Sequence, residues 1–509
     1  MSRLVNWFDD KKIAVLAIMI FVLSVIPFFY LAHYARPSGD DLGHARFAHA
    51  AWLDSGSIWE VHKAAIHTVK ISYNGIAGEW LAYYINSFMP EVFAPYAFWI
   101  GCYLFILSVV IGMAIFSFYF LRRIFGAGWE YAAILSVIIL IFTMQYNPNS
   151  NISFYWFTGG VKYILPHPFF LLALVFTGKF LIAKSRRYII LISICTFIVG
   201  GISYSHSLLV FMIFPILFVC LFRKAKHILW LLIPYIICFA AFIFQAIAPG
   251  NKARAGSEFG FDFTSVLFTI INSLKLEFTA PIQYIERVPL LLVALVSVTV
   301  FGWLGMTQAI KKGKALISFQ CPLLYIAMIF LINSALNAPR IYAVDFMGVD
   351  NATSGTMVVE WLFYILTWAS AILYIEGWLI KKYFSGGAFA KTGKFGFLTD
   401  ESRFRRNILL PSLLLCLAIV VWHKGNLKDS FAYQAYVYVE SGAAAEYKWR
   451  IAEYMEILLD DSVEEAYLDP INDRQGPLLH WTVMEDETNY VNWTYKAFYR
   501  KKRVVLREE

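Results

Sequence analysis

The sequence predicts an all-α polytopic membrane protein with about eleven transmembrane helices and a small α+β domain at its C-terminal end. Of its 509 residues, 59% are hydrophobic and 15% are charged, whereas soluble domains carry about 25% charged residues. Apolar runs recur along most of the chain, and Lys and Arg collect in short loops between them. This placement of basic residues is typical of membrane topology rather than of nucleic-acid binding.

Each predicted span is a run of mostly apolar residues long enough to approach the thickness of the hydrocarbon core. The runs are residues 13–35, 95–120, 130–146, 167–183, 188–204, 207–222, 228–248, 288–307, 321–337, 357–380 and 408–422. The first run follows Lys11 and Lys12 and is too long for the apolar core of a signal peptide. We therefore expect it to remain as the first membrane helix.

The basic residues predict the orientation of the chain. They fall in alternate loops, at Arg122 and Arg123, at Lys184, Arg186 and Arg187, at Arg223, Lys224 and Lys226, at Lys311, Lys312 and Lys314, and from Lys381 to Arg406. The positive-inside rule assigns these loops and the N-terminus to the cytoplasm. With an odd number of spans, the C-terminal tail lies on the outer side. The predicted domains are therefore a transmembrane domain, residues 1–422, and an extracytoplasmic domain, residues 423–509.

Four segments are expected on the outer side, namely residues 36–94, 146–166, 249–287 and 338–356. The first contains two amphipathic stretches, 42–53 and 58–88, that are typical of helices lying on a membrane surface. The glycines of "YNGIAGEW" predict a break within the second stretch. In the C-terminal segment, "YKWRIAEYMEILL" indicates a helix and "AYLDP" indicates a strand.

An adjacent pair of carboxylates, Asp40 and Asp41, stands where the chain leaves the first span. A membrane-proximal carboxylate in a partly dry site is suited to act as a general base. Helix capping is the alternative, because Ser38 and Asp41 have the spacing of a capping box. One carboxylate satisfies a cap, so the other is left for chemistry.

Basic residues near the outer ends of spans oppose the charge bias that sets the topology. They are Lys162, Lys252, Arg254 and Arg340. Interfacial and intramembrane charges are costly and are functional candidates, and Arg suits phosphate recognition. The alternative is that these side chains extend to the interface or pair with Asp345 or Asp350.

The remaining polar residues give weaker signals. The six cysteines lie in apolar runs and predict no disulfide framework or zinc site. His44 and His49 are five residues apart, as are His62 and His67, which does not match the i,i+4 spacing of a helical metal pair. Glu79 is either a second carboxylate of the site or a solvated residue at a helix end.

Three segments and the tail resemble a known family. The segments are "SGDDL", "YWFTGGVKYILP" and "APGNKAR", and the tail runs from "LDPINDRQGPLLHW" to "NWTYKAFYRKKRVVL". Together with the order of spans they resemble the GT-C glycosyltransferases, and within them the bacterial group that includes O-antigen-modifying glucosyltransferases. These enzymes take sugars from polyprenyl-phosphate carriers.

The resemblance implies a hexosyltransferase of the bacterial inner membrane that acts on a cell-envelope glycan or lipid-linked acceptor. It implies that Asp40 or Asp41 is the catalytic base or binds the acceptor. It implies that Lys162, Arg254 and Arg340 hold the lipid phosphate. The other residues predicted to bind substrate are Glu79, Tyr163, His167 and Asn251. Some members hold a divalent metal at the acidic motif, but this sequence has no spaced Asp-x-Asp there. Tyr155, Trp156 and Tyr163 are candidates for stacking on sugars or for the aromatic belt of the interface.

Two other functions remain open at this stage. A polymerase or ligase of lipid-linked glycans has many spans and outward Arg residues, but it tends to carry its key loop late in the chain. A transporter or flippase needs charged or broken helices at mid-membrane and often shows inverted repeats. The sequence shows no internal repeat and few charges within its predicted spans.

Overall fold

The computed structural model describes residues 9–223, 226–255, 262–344, 355–384, 396–398, 400–471 and 476–507. The first half of the chain forms α1 Asp10–Ala32, α2 Asp40–Ser55, α3 Ile58–Gly75, α4 Trp80–Asn86, α5 Trp99–Tyr119, α6 Trp129–Gln145, α7 Ser150–Phe154, α8 Phe157–Gly159, α9 Pro166–Ala183, α10 Arg186–Ile202, α11 Tyr204–Leu221, α12 Leu232–Ala246 and α13 Pro249–Ala255. The second half forms α14 Phe263–Arg287, α15 Leu291–Lys311, α16 Pro322–Val344, α17 Thr356–Leu379, α18 Glu401–Phe404, α19 Leu410–Trp422, α20 Phe431–Glu440, α21 Ala443–Leu459, β1 Glu465–Leu468, α22 Tyr490–Phe498 and β2 Arg503–Leu506.

Within the described residues, nine helices are long and apolar enough to cross a membrane. They are Asp10–Ala32, Trp99–Ile124, Phe157–Ala183, Tyr204–Leu221, Lys226–Ala246, Leu291–Lys311, Pro322–Tyr342, Thr356–Tyr383 and Glu401–Trp422. These helices make the chain an all-α, multi-pass membrane protein by length and composition, as the sequence predicts. The other two predicted spans lie on α6 and α10, which have 17 residues each, so the count of eleven stays a prediction.

Helix α14 buries several polar residues and exposes several large apolar ones, and Lys275 and Glu286 are exposed as well. Asn272 and Glu277 are buried, whereas Phe268 and Phe278 are exposed. A helix on a water-soluble protein has the opposite arrangement. The exposed apolar face is therefore suited to lipid. The sequence assigned this stretch to an outer segment because its polar residues lower its mean hydropathy.

One compact unit consists of Met1–Ile26, Val110–Pro148 and Asp262–Ser430. Its interior holds a buried ion pair in which the Arg340 guanidinium donates to both carboxylate oxygens of Glu360, at 3.0 and 2.9 Å. Asn333 donates from Nδ2 to Glu277 Oε1 at 3.1 Å. Charged residues therefore lie in the interior of this unit, on α14, α16 and α17.

The second compact unit consists of Pro27–Val109, Asn149–Phe261 and Phe431–Glu509. The strand and helix predicted in the C-terminal segment are confirmed as β1 and α21. Strand β1 pairs in parallel with β2, with Glu465 opposite Arg503. The break predicted after α3 is also confirmed, because α3 ends at Gly75 and α4 begins at Trp80.

Helix α22 of the C-terminal segment packs along α2. The imidazole of His49 stacks on Phe498, with ring centroids 4.1 Å apart. Nearer the end of α2, the Arg500 guanidinium donates to both carboxylate oxygens of Asp54 at 2.7 Å. Aromatic stacking and a two-pronged ion pair thus join the C-terminal segment to the helix that begins with Asp40.

Close contact between α10 and α12 depends on Gly200. A Cβ at this position would lie 2.6 Å from the Cys238 carbonyl oxygen and 3.0 Å from Ala241 Cβ. We predict that Gly200→Ala lowers the free energy of unfolding by about 1–3 kcal/mol, because the two helices must separate. Thermal unfolding in detergent measures this effect. Gly75→Ala is the control, since a Cβ there meets nothing within 4 Å, and an equal loss in both variants would contradict the packing argument.

Candidate functional site

Asp41 is a buried carboxylate whose two oxygens are occupied by the chain. Oδ1 accepts hydrogen bonds from the Thr158 backbone N at 2.8 Å and its hydroxyl at 2.7 Å. Oδ2 accepts from the backbone N of Phe157 at 3.3 Å and of Ser38 at 3.4 Å. Burial raises the pKa of Asp41 from 3.8 to about 7, and the hydrogen bonds oppose this rise. Asp41 therefore joins the start of α2 to α8.

The capping alternative applies to Asp41 in part. Its carboxylate reaches back to the Ser38 N–H, as in a capping box. The Ser38 hydroxyl does not complete the motif, because it accepts from the Trp481 backbone N at 2.5 Å.

Asp40 is the accessible member of the pair. Its carboxylate is only half-buried, and Oδ1 accepts a hydrogen bond from the Tyr490 hydroxyl at 2.8 Å. The preceding residue, Gly39, has a φ of 53° and lies against the Trp481 ring, which leaves no room for a Cβ. Residues from the C-terminal segment thus hold the position of Asp40.

Lys162 and Glu79 form a partly buried ion pair at 3.1 Å. The Lys162 ammonium also lies 5.3 Å from the centroid of the Tyr83 ring, within the range of a cation–π interaction. Arg254, at the end of α13, is exposed and makes no ion pair within the described part of the chain. Its charge is available to an anionic ligand.

Tyr83 lies where several of these charges act together. Burial raises the pKa of its hydroxyl, Lys162 and Arg254 lower it, and Glu79 and Asp40 raise it again. The hydroxyl is fully buried and makes no hydrogen bond with the residues that the structure describes. A buried polar group without a partner is costly and points to a ligand or ordered water.

His44 adds a neutral imidazole to the same cluster. Its ring meets the Tyr83 ring edge-on, with centroids 4.9 Å apart. Burial, and then the charges of Lys162 and Arg46, lower the pKa of His44 to about 3. His44 is therefore uncharged near neutral pH.

The side chain of Asn251 is hydrogen-bonded to the backbone. Its Oδ1 accepts from the Gly78 backbone N at 3.0 Å, and its Nδ2 donates to the carbonyl oxygens of Gln245 and Ala246 at 2.9 and 3.1 Å. These bonds fix α13 against the break between α3 and α4. Asn251 thereby positions Arg254, three residues further along α13.

Two other residues predicted to bind substrate have partners of their own. His167 is buried, with Nδ1 3.3 Å from Nε2 of His206. Arg340 belongs to the other compact unit, where it pairs with Glu360. Asp345 and Asp350, the alternative partners named for the outer cations, lie outside the described residues.

The aromatic residues predicted to stack on sugars differ in burial: one belongs to the core, and another is accessible at the site. Tyr155 is buried, donates to the Phe28 carbonyl oxygen at 3.0 Å and stacks on Phe431, so its predicted role on a sugar needs correction. Trp156 is half-buried and lies 5.8 Å from the Trp481 ring. Its indole N–H makes no hydrogen bond with the described residues, so this pair fits a sugar better.

The acidic motif does not fit a divalent metal. Both oxygens of Asp41 already accept N–H or O–H donors, which leaves a single carboxylate, Asp40, to contribute. Among the described residues, no group of three or more His, Cys, Asp or Glu side chains is arranged to hold a metal ion.

The sequence did not reveal Tyr83, His44, Trp481 or Tyr490 as site residues. Tyr83 and His44 lie on amphipathic helices, where aromatic residues also suit a membrane surface. Trp481 and Tyr490 are about 440 residues or more from Asp40 in the sequence, yet they contact Ser38 and Asp40. The signals for them were the density of Trp and Tyr in the tail and, for Trp481, its place in the segment "LDPINDRQGPLLHW".

A scan of the chain against protein-family models, a search of curated proteins and a search of solved structures found no match.

We predict that Asp41→Asn lowers the free energy of unfolding by about 1–3 kcal/mol. The Asn side chain has one NH₂ group in place of a carboxylate oxygen, and this group would face backbone N–H donors that then lose their acceptor. Thermal unfolding of the purified protein in detergent measures the loss. Asp40→Asn is the control, since among the described residues its half-buried carboxylate accepts a hydrogen bond from the Tyr490 hydroxyl alone. Similar losses in both variants would refute the assignment of Asp41 as the structural member of the pair.

We also predict a pH dependence from Asp41. Because its pKa rises from 3.8 to about 7 on folding, the folded chain holds a proton there that the unfolded chain releases. This group therefore contributes stability at low pH that is lost as the pH rises from about 4 to 7. Unfolding measured across this range should show a smaller fall in stability for Asp41→Asn than for the wild type. A parallel pH profile in both proteins would contradict the shift.

Proposed function

We propose that this protein is a membrane glycosyltransferase of the GT-C type that moves a sugar from a polyprenyl-phosphate donor to a cell-envelope glycan or lipid-linked acceptor. The observation that carries the proposal is the pairing of an accessible carboxylate, Asp40, with nearby cations in the same compact unit. The charges of Asp40, Lys162 and Arg254 all act on the buried Tyr83 hydroxyl. Such a site holds a base for one substrate and positive charge for the other.

Asp40 is the proposed general base. The acceptor hydroxyl oxygen attacks the anomeric carbon of the sugar, and its proton passes to the Asp40 carboxylate. The bond between that carbon and the phosphate oxygen breaks, and the electron pair leaves with the phosphate. Tyr490 orients Asp40 through its hydroxyl, while Asp41 is already committed to Thr158.

The leaving phosphate requires positive charge, and electrostatic stabilisation of this kind is usually the largest single contribution to catalysis. Arg254 is exposed and suits bidentate binding of phosphate oxygens. Lys162 is held by Glu79 at 3.1 Å, so it adds a fixed cation whose charge is partly balanced. Tyr163, next in the chain, is half-buried in the same segment.

An exposed aromatic pair supports a glycan as the acceptor. Tyr490 and Trp493 stack with ring centroids 5.8 Å apart, and they line an open cavity of about 460 Å³ together with Glu487, Thr488 and Lys496. Flat aromatic faces with polar neighbours suit pyranose rings. Tyr490 connects this surface directly to Asp40.

The proposed setting follows from the charge pattern of the loops. With eleven spans, the positive-inside rule directs the N-terminus to the cytoplasm and residues 423–509 to the outer face of a bacterial inner membrane. Nucleotide sugars are absent there, so a lipid carrier would have to deliver the activated sugar. The likeness of "SGDDL" and "APGNKAR" to GT-C segments supports the same reading.

The test is mass analysis of envelope glycans from cells that carry the wild type, a gene deletion, Asp40→Asn or Asp54→Asn, with protein levels matched. We expect deletion to remove one sugar and Asp40→Asn to reduce transfer by about 10²–10⁴-fold, because a general base is lost. Asp54 lies on the same helix but pairs with Arg500, so its variant should keep the sugar.

Two outcomes would count against the proposal. A glycan unchanged by deletion, in cells that make their normal envelope polymers, would remove the basis for a transferase. A deletion that stops polymer assembly while Asp40→Asn is tolerated would favour a polymerase or ligase of lipid-linked glycans.

A transporter or flippase is the second candidate, and the buried Arg340–Glu360 pair favours it. Charged groups within membrane helices commonly mark transport pathways, and this pair lies on α16 and α17. Proteoliposomes containing the purified protein and a fluorescent lipid-linked sugar distinguish the two functions. Flipping without sugar transfer would support the transporter, whereas transfer to an added acceptor would support the glycosyltransferase.

A further inference from the structure

A groove runs along the surface of the second compact unit between α10 and α12. Its volume is about 610 Å³. It is lined by Arg186, Ile189, Ile190, Ser193, Ile194, Phe197, Trp230, Ile233 and Ile237. Apart from Arg186 at one end and Ser193 in the wall, the lining side chains are aliphatic or aromatic.

The two helices that form the groove run in the same direction. Arg186 lies against Trp230 at one end, and Thr196 donates to the Pro234 carbonyl oxygen at 3.0 Å further along. From Arg186 to Phe197 the groove therefore follows about 16 Å of helix, at 1.5 Å per residue. This length is about half of a 30 Å hydrocarbon core, which is the depth of one leaflet.

The walls of the groove are open to the outside of the protein. Ile190 is 63% exposed and Ile194 is 52% exposed. In a membrane such a surface meets acyl chains, and a groove of single-leaflet length accommodates one chain along its axis.

Positive charge lies at one end of the groove only. The Arg186 guanidinium is exposed and lies 5.0 Å from the centroid of the Trp230 ring. Trp and Arg together are typical of the level of lipid headgroups, and Arg binds phosphate oxygens through paired N–H donors. A ligand with an apolar chain about one leaflet long and an anionic phosphate at its end matches this arrangement.

We propose that this groove binds an anionic phospholipid, with one acyl chain between α10 and α12 and the phosphodiester on Arg186. The proposal does not depend on the glycosyltransferase function. By the positive-inside rule the basic end faces the cytoplasm, so the lipid belongs to the inner leaflet. A zwitterionic lipid is bound less well because its cationic headgroup approaches Arg186.

The experiment titrates the full-length protein in detergent with palmitoyl-oleoyl-phosphatidylglycerol or the corresponding phosphatidylcholine, and counts bound lipids by native mass spectrometry. We expect the phosphatidylglycerol to bind more tightly, and Arg186→Ala to weaken its binding by about fivefold, the effect of one basic residue on an anionic lipid. Ile194→Trp should weaken binding as well, because the larger side chain fills the groove. Unfolding temperatures of each variant verify that the fold is kept.

Arg187→Ala is the matched control. Arg187 carries the same charge one residue away, but it lies over Tyr188 and donates to its hydroxyl at 3.0 Å and does not line the groove. Equal losses for Arg186→Ala and Arg187→Ala would overturn the proposal in favour of diffuse attraction. Equal affinity for the two lipids would also overturn it. Displacement of the phosphatidylglycerol by undecaprenyl phosphate, with the same dependence on Arg186, would assign the groove to a carrier lipid instead.

Discussion

The buried carboxylate of Asp41 is the interaction on which the site depends. Four hydrogen bonds from Ser38, Phe157 and Thr158 converge on it, so it fixes the first turn of α2 against α8. Successive helical residues point about 100° apart. Burying Asp41 therefore turns Asp40 outward toward Tyr490, and one carboxylate of the pair becomes structural while its neighbour becomes available for chemistry.

The low polarity around the site strengthens the electrostatic interactions of its charged groups. Burial keeps His44 neutral, with its pKa near 3, and it leaves the Tyr83 hydroxyl without a partner in the described chain. Lys162 remains charged beside them because Glu79 balances it. The cluster therefore combines a fixed cation with unsatisfied polar groups, an arrangement that an incoming polar ligand stabilises.

The same physical rule explains the outer surface of the helices. Hydrocarbon offers no hydrogen bonds, so polar side chains in a membrane turn inward and apolar side chains turn outward. Helix α14 follows this rule by burying Glu277 against Asn333 and exposing Phe278. The groove between α10 and α12 follows it as well, since its one charged residue, Arg186, lies at the end rather than in the middle.

The sequence by itself determined the helical membrane class. Runs of apolar residues and alternating basic loops are local features of the sequence, and both follow directly from the membrane environment. It also located the Asp pair, Lys162 and Arg254, and it predicted the helix and strand of the tail. It did not distinguish Asp40 from Asp41, and it did not connect Tyr490 or Trp481 with them. Only the tertiary structure decided these points, because burial and contacts between residues far apart in the chain arise from packing, which no local pattern encodes.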